Sequence, residues 1–223
     1  VCSSDLLRPG GLRDRRSTMI YSLPVTGVFV TNCYFDIDEE TGHGFLIDPG
    51  AEGKKLAEII RQKGWTMEKI LLTHGHFDHW GGVRELQKQF DIPVMIHENG
   101  LSFLTDTRLN LSAFCRVDMT LNGAETFREG DEISLNDGNI MLKVFHTPGH
   151  TVDSVVLYNK SEGAAFVGDT IFQGAVGGTD YPTSDSRQLF RSIREKILTL
   201  PGETALLSGH SEATTVGAEQ RFY

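Results

Sequence analysis

Three histidines and an aspartate fall within six positions in the stretch THGHFDHWGG, residues 73–82: His74, His76, Asp78 and His79. In a loop leaving a strand, His74 and His76 can point to one side and converge on one ion. Asp78 and His79 come one turn later and can serve a second. Neutral imidazole and carboxylate are ligands that zinc, iron and manganese all accept. A lone histidine is usually a satisfied core or surface residue, and the chain has eight. Four metal-type ligands packed this closely, followed by Gly81 and Gly82, point instead to a metal site.

Such a site needs further ligands, and three lie downstream in suitable contexts. His150 sits in TPGHT (147–151), Asp169 in VGDT (167–170) and His210 in SGHS (208–211). Each follows an apolar run, at once or after a short turn, where a strand ends and a loop can present a side chain. With the first cluster this makes seven ligands. Two four- or five-coordinate ions sharing one carboxylate and one water would use them all.

The HxHxDH pattern with a distant His, Asp and His in this order resembles the metallo-β-lactamase superfamily. The flanking segments TNCYF (31–35), IDPG (47–50), LNLSAF (109–114), HTPGHT (146–151), GDTIF (168–172) and GHSEATTVGAEQR (209–221) look like its single-domain glyoxalase II-like hydrolases, relatives of hydroxyacylglutathione hydrolase. The resemblance runs from about Met19 to the C-terminus. It implies an α/β protein with a four-layer αββα sandwich. It also implies that His74, His76 and His150 hold a first metal, that Asp78, His79 and His210 hold a second, and that Asp169 bridges them. The implied cofactors are two divalent ions, zinc first, with iron or manganese as alternatives.

The implied chemistry is hydrolysis of a thioester such as S-lactoylglutathione, or of a related small ester. A water held between two divalent ions loses a proton near neutral pH, and the metal-bound hydroxide attacks the carbonyl. Asp78 and Asp169 are the expected catalytic carboxylates, Asp78 orienting the hydroxide while it ligates. A thiolate leaving group needs little protonation, its conjugate acid having a pKa of about 8.5. No GxSxG elbow is present in the sequence, so a serine nucleophile is unsupported. The alternatives are a persulfide dioxygenase with one iron held by two His and one Asp, a lactonase, and a non-catalytic metal-binding protein; a β-lactamase is weaker still.

Three departures bear on substrate. Dedicated glyoxalase II enzymes carry a C-terminal helical domain that contacts glutathione, and this sequence is expected to lack it. Related single-domain proteins usually have an Arg where Gly178 stands, and Ser211-Glu212 replaces a usual Gly-Pro pair. Phe172, Asp180 and Tyr181 are candidate substrate contacts, with loop packing as the simpler explanation.

Composition fits one catalytic domain. The 223 residues, with 39% hydrophobic content and 24 glycines, suit a loop-rich α/β protein. A net charge of −9 disfavours nucleic-acid partners, because phosphate binding needs basic surface. No run approaches the roughly 18–20 apolar residues of a membrane span. The expected partner is therefore a small-molecule substrate; oligomeric state is not legible. Residues 1–18 mix Arg, Gly and Ser without periodicity and lack the apolar core of a signal peptide. Their start, VCSSDL, resembles a translated sequencing adapter, so 1–18 is expected to be a non-native or disordered extension and 19–223 the catalytic domain. Cys33 lies in an apolar strand pattern and is expected as a core thiol; Cys115 is assigned a structural role, with a place nearer the site as the alternative. Neither suggests a disulfide framework, which fits a reducing, cytoplasmic compartment.

The elements that must position the ligands follow from periodicity. A first strand pattern begins at residues 20–23, and further strands are expected at residues 28–35, 44–47, 70–72, 94–96, 140–145, 154–158 and 164–167. Helices are expected at 54–63, 80–90 and 186–198, with Leu189, Ile193 and Ile197 at helical spacing. His97 is expected to cap a helix or lie near the site, His146 to be structural and His43 to be exposed.

Overall fold

The structure is a computed structural model and describes residues 18–223. The expected extension 1–18 lies outside these residues except for Thr18, which opens the first strand.

Two six-stranded sheets form the centre. The first contains β1 (Thr18–Thr26), β2 (Val30–Asp38), β3 (His43–Ile47), β4 (Thr66–Leu71), β5 (Val94–His97) and β6 (Glu125–Phe127), side by side in that order. β1 to β3 are antiparallel; β3 to β6 are parallel. The second sheet is built from β7 (Glu132–Ser134), β8 (Met141–His146), β9 (Val155–Asn159), β10 (Ala164–Gly168), β13 (Ala205–Ser208) and β14 (Thr214–Thr215). Between its strands β10 and β13 the chain makes a small hairpin, β11 (Ile171–Phe172) and β12 (Ala175–Val176). The helices are α1 (Gly53–Lys63), α2 (Val83–Gln87), α3 (Leu101–Thr105), α4 (Ser186–Ser192) and α5 (Val216–Glu219).

Three apolar layers hold this arrangement. Tyr34, Phe45, Leu71, Val144, Leu157 and Phe166 pack between the two sheets. Leu56, Ile60, Val83 and Leu86 cover the outer face of the first sheet from α1 and α2. Leu189, Ile193 and Val216 cover the second sheet from the α4 and α5 side. Three cores between four layers make the αββα sandwich. Alternation along β8 shows the cause: Leu142 and Val144 are buried while Met141 and Lys143 are exposed.

Most expected elements are present with shifted ends. The strand pattern from residue 20 is the middle of β1, and the strand expected at 28–35 begins at Val30 because the Gly27 N–H bonds to the Phe29 carbonyl and turns the chain. The helix expected at 80–90 shrinks to α2. Its first residues are stitched to the loop after β3: Gly82 N–H donates to the Pro49 carbonyl, and a Cβ on Gly81 would lie 2.4 Å from the Gly50 carbonyl oxygen. The 186–198 helix starts at the Asp185 cap, whose carboxylate accepts from Gln188 N–H at 3.0 Å, and continues past α4 as a π-helical turn, Ile193–Ile197. Among the described residues no helix is long and apolar enough to cross a membrane.

Candidate metal centre

All seven expected ligands leave the same edge of the sandwich. His74 and His76 follow β4, and Asp78 and His79 lie in a 3-10 turn, Phe77–His79. His150 lies between β8 and β9, Asp169 directly follows β10, and His210 comes just after β13. The 147–151 loop is propped by α4 and the turn leading into it: Ser192 Oγ donates to the Pro148 carbonyl at 2.8 Å, and Ser184 Oγ to the His150 carbonyl at 2.6 Å.

The structure brings the seven into two adjoining groups. In the first, His76 Nδ1 lies 3.1 Å from His74 Nε2 and 3.1 Å from His150 Nε2. Hydrogen bonding does not account for this convergence. The Thr73 hydroxyl donates to Asp48, so His74 Nδ1–H donates to Thr73 Oγ1; His150 Nδ1–H donates to the Gly178 carbonyl at 2.8 Å. Both Nε2 atoms therefore carry lone pairs, and His76 Nδ1 can satisfy only one of them with a proton. Zinc–imidazole bonds of about 2.0–2.1 Å in a tetrahedron place nitrogens about 3.3 Å apart, close to the spacing here. Burial, followed by the neighbouring imidazoles, pushes His74 well below the ordinary histidine range; burial and then His150 push His76 down to about 3. Neutral rings are the ligating form.

The second group gathers carboxylates. His210 Nε2 lies 3.2 Å from Asp78 Oδ2 and 3.3 Å from Asp169 Oδ2, and His79 Nε2 lies 3.3 Å from Asp169 Oδ1. Asp169 Oδ2 also lies 3.6 Å from His150 Nε2, so this one carboxylate reaches both groups. His79 Nε2 and Asp169 Oδ1 are buried without a hydrogen bond. Burial disfavours charge on His79, yet Asp169, Asp48 and Asp78 outweigh it and hold its pKa well above the ordinary value. His210 is likewise raised to about 10, burial being overcome by its bonds to Asp169 and Asp78. The site concentrates negative charge on a point that a divalent cation would neutralise. The residues present thus fit two metal ions side by side, and His74–His76–His150, His74–His79–Asp169 and Asp78–His79–His210 each bring ligand atoms within 4.8 Å.

One residue organising this centre was not singled out from the sequence. Asp48 stands in the IDPG segment, buried, with a left-handed backbone (φ 49°). Its Oδ1 accepts from Thr73 N–H at 2.8 Å; its Oδ2 accepts from Thr73 Oγ1 at 2.6 Å and from His79 Nδ1–H at 2.9 Å. It fixes the tautomer of His79 directly and that of His74 through Thr73. The carbonyl of Val30 does the same for His210, at 2.7 Å from Nδ1. An aspartate directly after the apolar run at 45–47 was the available signal; backbone carbonyls leave none.

The remaining expectations resolve simply. His97 caps the next turn, its Nδ1 accepting from Asn99 N–H, and stacks on His146 with centroids 4.1 Å apart. His146 Nε2–H donates to the Val152 carbonyl, and half-exposed His43 pairs with Glu68. Cys33 is buried in the core; Cys115 packs against that same core, as its structural role expects, and also lines the cavity over the metal centre. That cavity, about 660 Å³, also presents Phe172, Asp180 and Tyr181.

Residues 26–210 match the Metallo-beta-lactamase superfamily. The chain is 42% identical over 199 residues to the "Probable metallo-hydrolase YqgX" of Bacillus subtilis (strain 168), covering 89% of this chain and 92% of that protein. It is 32% identical over 202 residues to the hydroxyacylglutathione hydrolase GloC of Haemophilus influenzae, covering 89% and 93%. Among solved structures, the BLEG-1 B3 metallo-beta-lactamase superposes with a TM-score of 0.85 at 35% identity, over 91% of this chain and 97% of that one. TTHA1623 in a di-iron-bound form superposes with a TM-score of 0.76 at 33% identity, over 89% and 97%. The chain belongs to the metallo-β-lactamase superfamily.

Proposed function

We propose that this protein is a binuclear metal-dependent hydrolase that cleaves a thioester such as S-lactoylglutathione, or a related small ester. The observation that carries this reading is the convergence of three neutral imidazole nitrogens beside a carboxylate-rich second group, with Asp169 reaching both. The name of GloC, a hydroxyacylglutathione hydrolase, and the di-iron form of TTHA1623 support it.

His74, His76 and His150 would hold one ion; Asp78, His79 and His210 the other; Asp169 would span them. Two divalent ions bound there would supply Lewis acidity and a hydroxide at neutral pH. Asp78 lines the cavity with its side chain partly open, and there it would orient the attacking water. His150, His79 and His210 have their second nitrogens committed to Gly178, Asp48 and Val30, so none is free to shuttle a proton. A thiolate leaving group, whose conjugate acid has a pKa of about 8.5, departs without one.

Asp78→Ala tests the reading on the metal-loaded protein, with S-lactoylglutathione and small esters as substrates. Loss of hydrolysis together with one metal ion is expected. Retention of most activity would overturn a mechanism that needs both ions.

A further inference from the structure

The walls above the metal centre differ in chemistry from its floor. Phe29 comes from the turn between β1 and β2, Leu111 and Phe114 from the loop after α3, Phe172 from β11, and Tyr181 and Pro182 from the loop after β12. Four separate chain segments thus deliver apolar side chains to one cavity. Much of that surface faces solvent: Phe114 is 69% exposed, Phe29 49% and Tyr181 42%. Exposed aromatic surface gathered around a concave site is what an apolar ligand would cover.

The wall is braced. Leu111 holds a left-handed backbone (φ 70°), uncommon for a branched residue. Asn110 fixes it there: its side-chain amide donates to the carbonyls of Phe103 and Met119 at 2.8 and 2.9 Å, and its Oδ1 accepts from Ser112 N–H at 2.9 Å. Gly178 sets the opposite side. A Cβ there would stand 2.9 Å from Tyr181 Cε2, so the absence of a side chain lets the tyrosine ring lie 5.5 Å from His76 and 5.6 Å from His150.

Charge points the same way. Among the described residues no lysine or arginine lines this cavity, and its one charged side chain outside the metal-facing set is Asp180. A second hollow of about 660 Å³ adjoins it across His210 and Val30; Asn32, Tyr34 and Ser211 line it, and its one carboxylate is Glu212. Away from the metal-facing floor, a substrate carboxylate would find no lysine or arginine among the described residues of either wall, only Asp180 and Glu212 of its own sign.

We infer that the cleft selects substrates that are uncharged and apolar on both sides of the scissile bond, a neutral thioester or lactone in preference to a glutathione conjugate. This rests on the hydrolase reading above and narrows it, placing S-lactoylglutathione among the poorer substrates of the same site. Water adds across the acyl–sulfur or acyl–oxygen bond, releasing the acid and the thiol or alcohol, so no further reactant is required.

The test has a binding arm and a turnover arm on the full chain loaded with metal. For binding, two non-hydrolysable thioethers are titrated calorimetrically: neutral S-benzyl-N-acetylcysteamine and anionic S-benzylglutathione. The neutral thioether is expected to bind at least tenfold tighter, and added salt to strengthen only the anionic one by screening repulsion. For turnover, S-phenylacetyl-N-acetylcysteamine, N-hexanoyl homoserine lactone and S-lactoylglutathione are compared by kcat/KM. A neutral substrate is expected to lead by at least tenfold, its acyl–sulfur or lactone form showing which source fits. Phe114→Ser should lower that lead with the metal content unchanged. Tighter binding of the glutathione thioether, weakened by salt, would overturn the inference while leaving the hydrolase reading intact. The expected binding preference with no turnover of any substrate would instead sink the hydrolase reading, and with it the substrate assignment.

Discussion

Asp48→Asn changes one atom of the centre's support and should disturb both metal groups. Asparagine tolerates the left-handed backbone that position 48 adopts, so the loop after β3 keeps its course. The amide can keep one acceptor, facing Thr73 N–H. Its NH2 then stands where Oδ2 accepted from Thr73 Oγ1 at 2.6 Å and from His79 Nδ1 at 2.9 Å. His79 Nδ1 must become an acceptor, which moves its proton to Nε2, toward Asp169. The Thr73 hydroxyl, no longer committed to a carboxylate, can donate to His74 Nδ1 and move that ring's proton to Nε2 as well. Each lone pair the metals need is replaced by a proton. Loss of a partner that orients a ligating histidine costs about 10- to 100-fold in metal affinity, or about 1.4–2.7 kcal/mol. Competition with a chromogenic chelator measures this: the ion near His79 should weaken most, and the ion near His74 less. Wild-type affinity for both ions in a folded Asp48→Asn protein would refute the reasoning.

Two further perturbations read other parts of the structure. Asp36 is buried beneath Asn159, and burial raises its pKa to about 7. Between its ordinary value of 3.8 and about 7 the native state keeps a proton that the unfolded chain has lost. Stability should therefore fall by about 1.4 kcal/mol per pH unit across that window and level off above it. Asp36→Asn should remove this slope in urea denaturation at pH 5 to 8; parallel slopes for both proteins would contradict it. Gly149 has φ 144°, and a Cβ there would lie 2.2 Å from Leu189 Cα. Gly149→Ala should push the His150 loop off α4, lowering the melting temperature of the metal-free protein and weakening the first ion by titration; unchanged values would show that the loop has room.

Much of the centre was legible because metal chemistry restricts residue types. The spacing of His74, His76, Asp78 and His79 demanded a tight turn after a strand, and the 3-10 turn after β4 provides it. His150, Asp169 and His210 each stood beyond an apolar run, and strand ends are where such runs stop. What escaped notice acts through backbone or through residues with common structural uses. The carbonyls of Gly178 and Val30 orient two histidines, and no sequence pattern marks a carbonyl. Asp48 resembles a turn aspartate until its three donors are seen in place. In the fold, β6, β7 and α3 were missed because three to five residues carry too little periodicity to register. The helix expected from Trp80 onward had the right apolar spacing, but contacts of Gly81 and Gly82 with the loop at 49–51 override local preference.

Metal content per chain, measured by elemental analysis alongside hydrolysis and oxygen uptake on the same sample, tests the central claim most directly. The account predicts two divalent ions per chain, hydrolysis of a thioester or ester, and no oxygen consumed. A single iron per chain, with oxygen taken up on a glutathione persulfide and no hydrolysis, would contradict it.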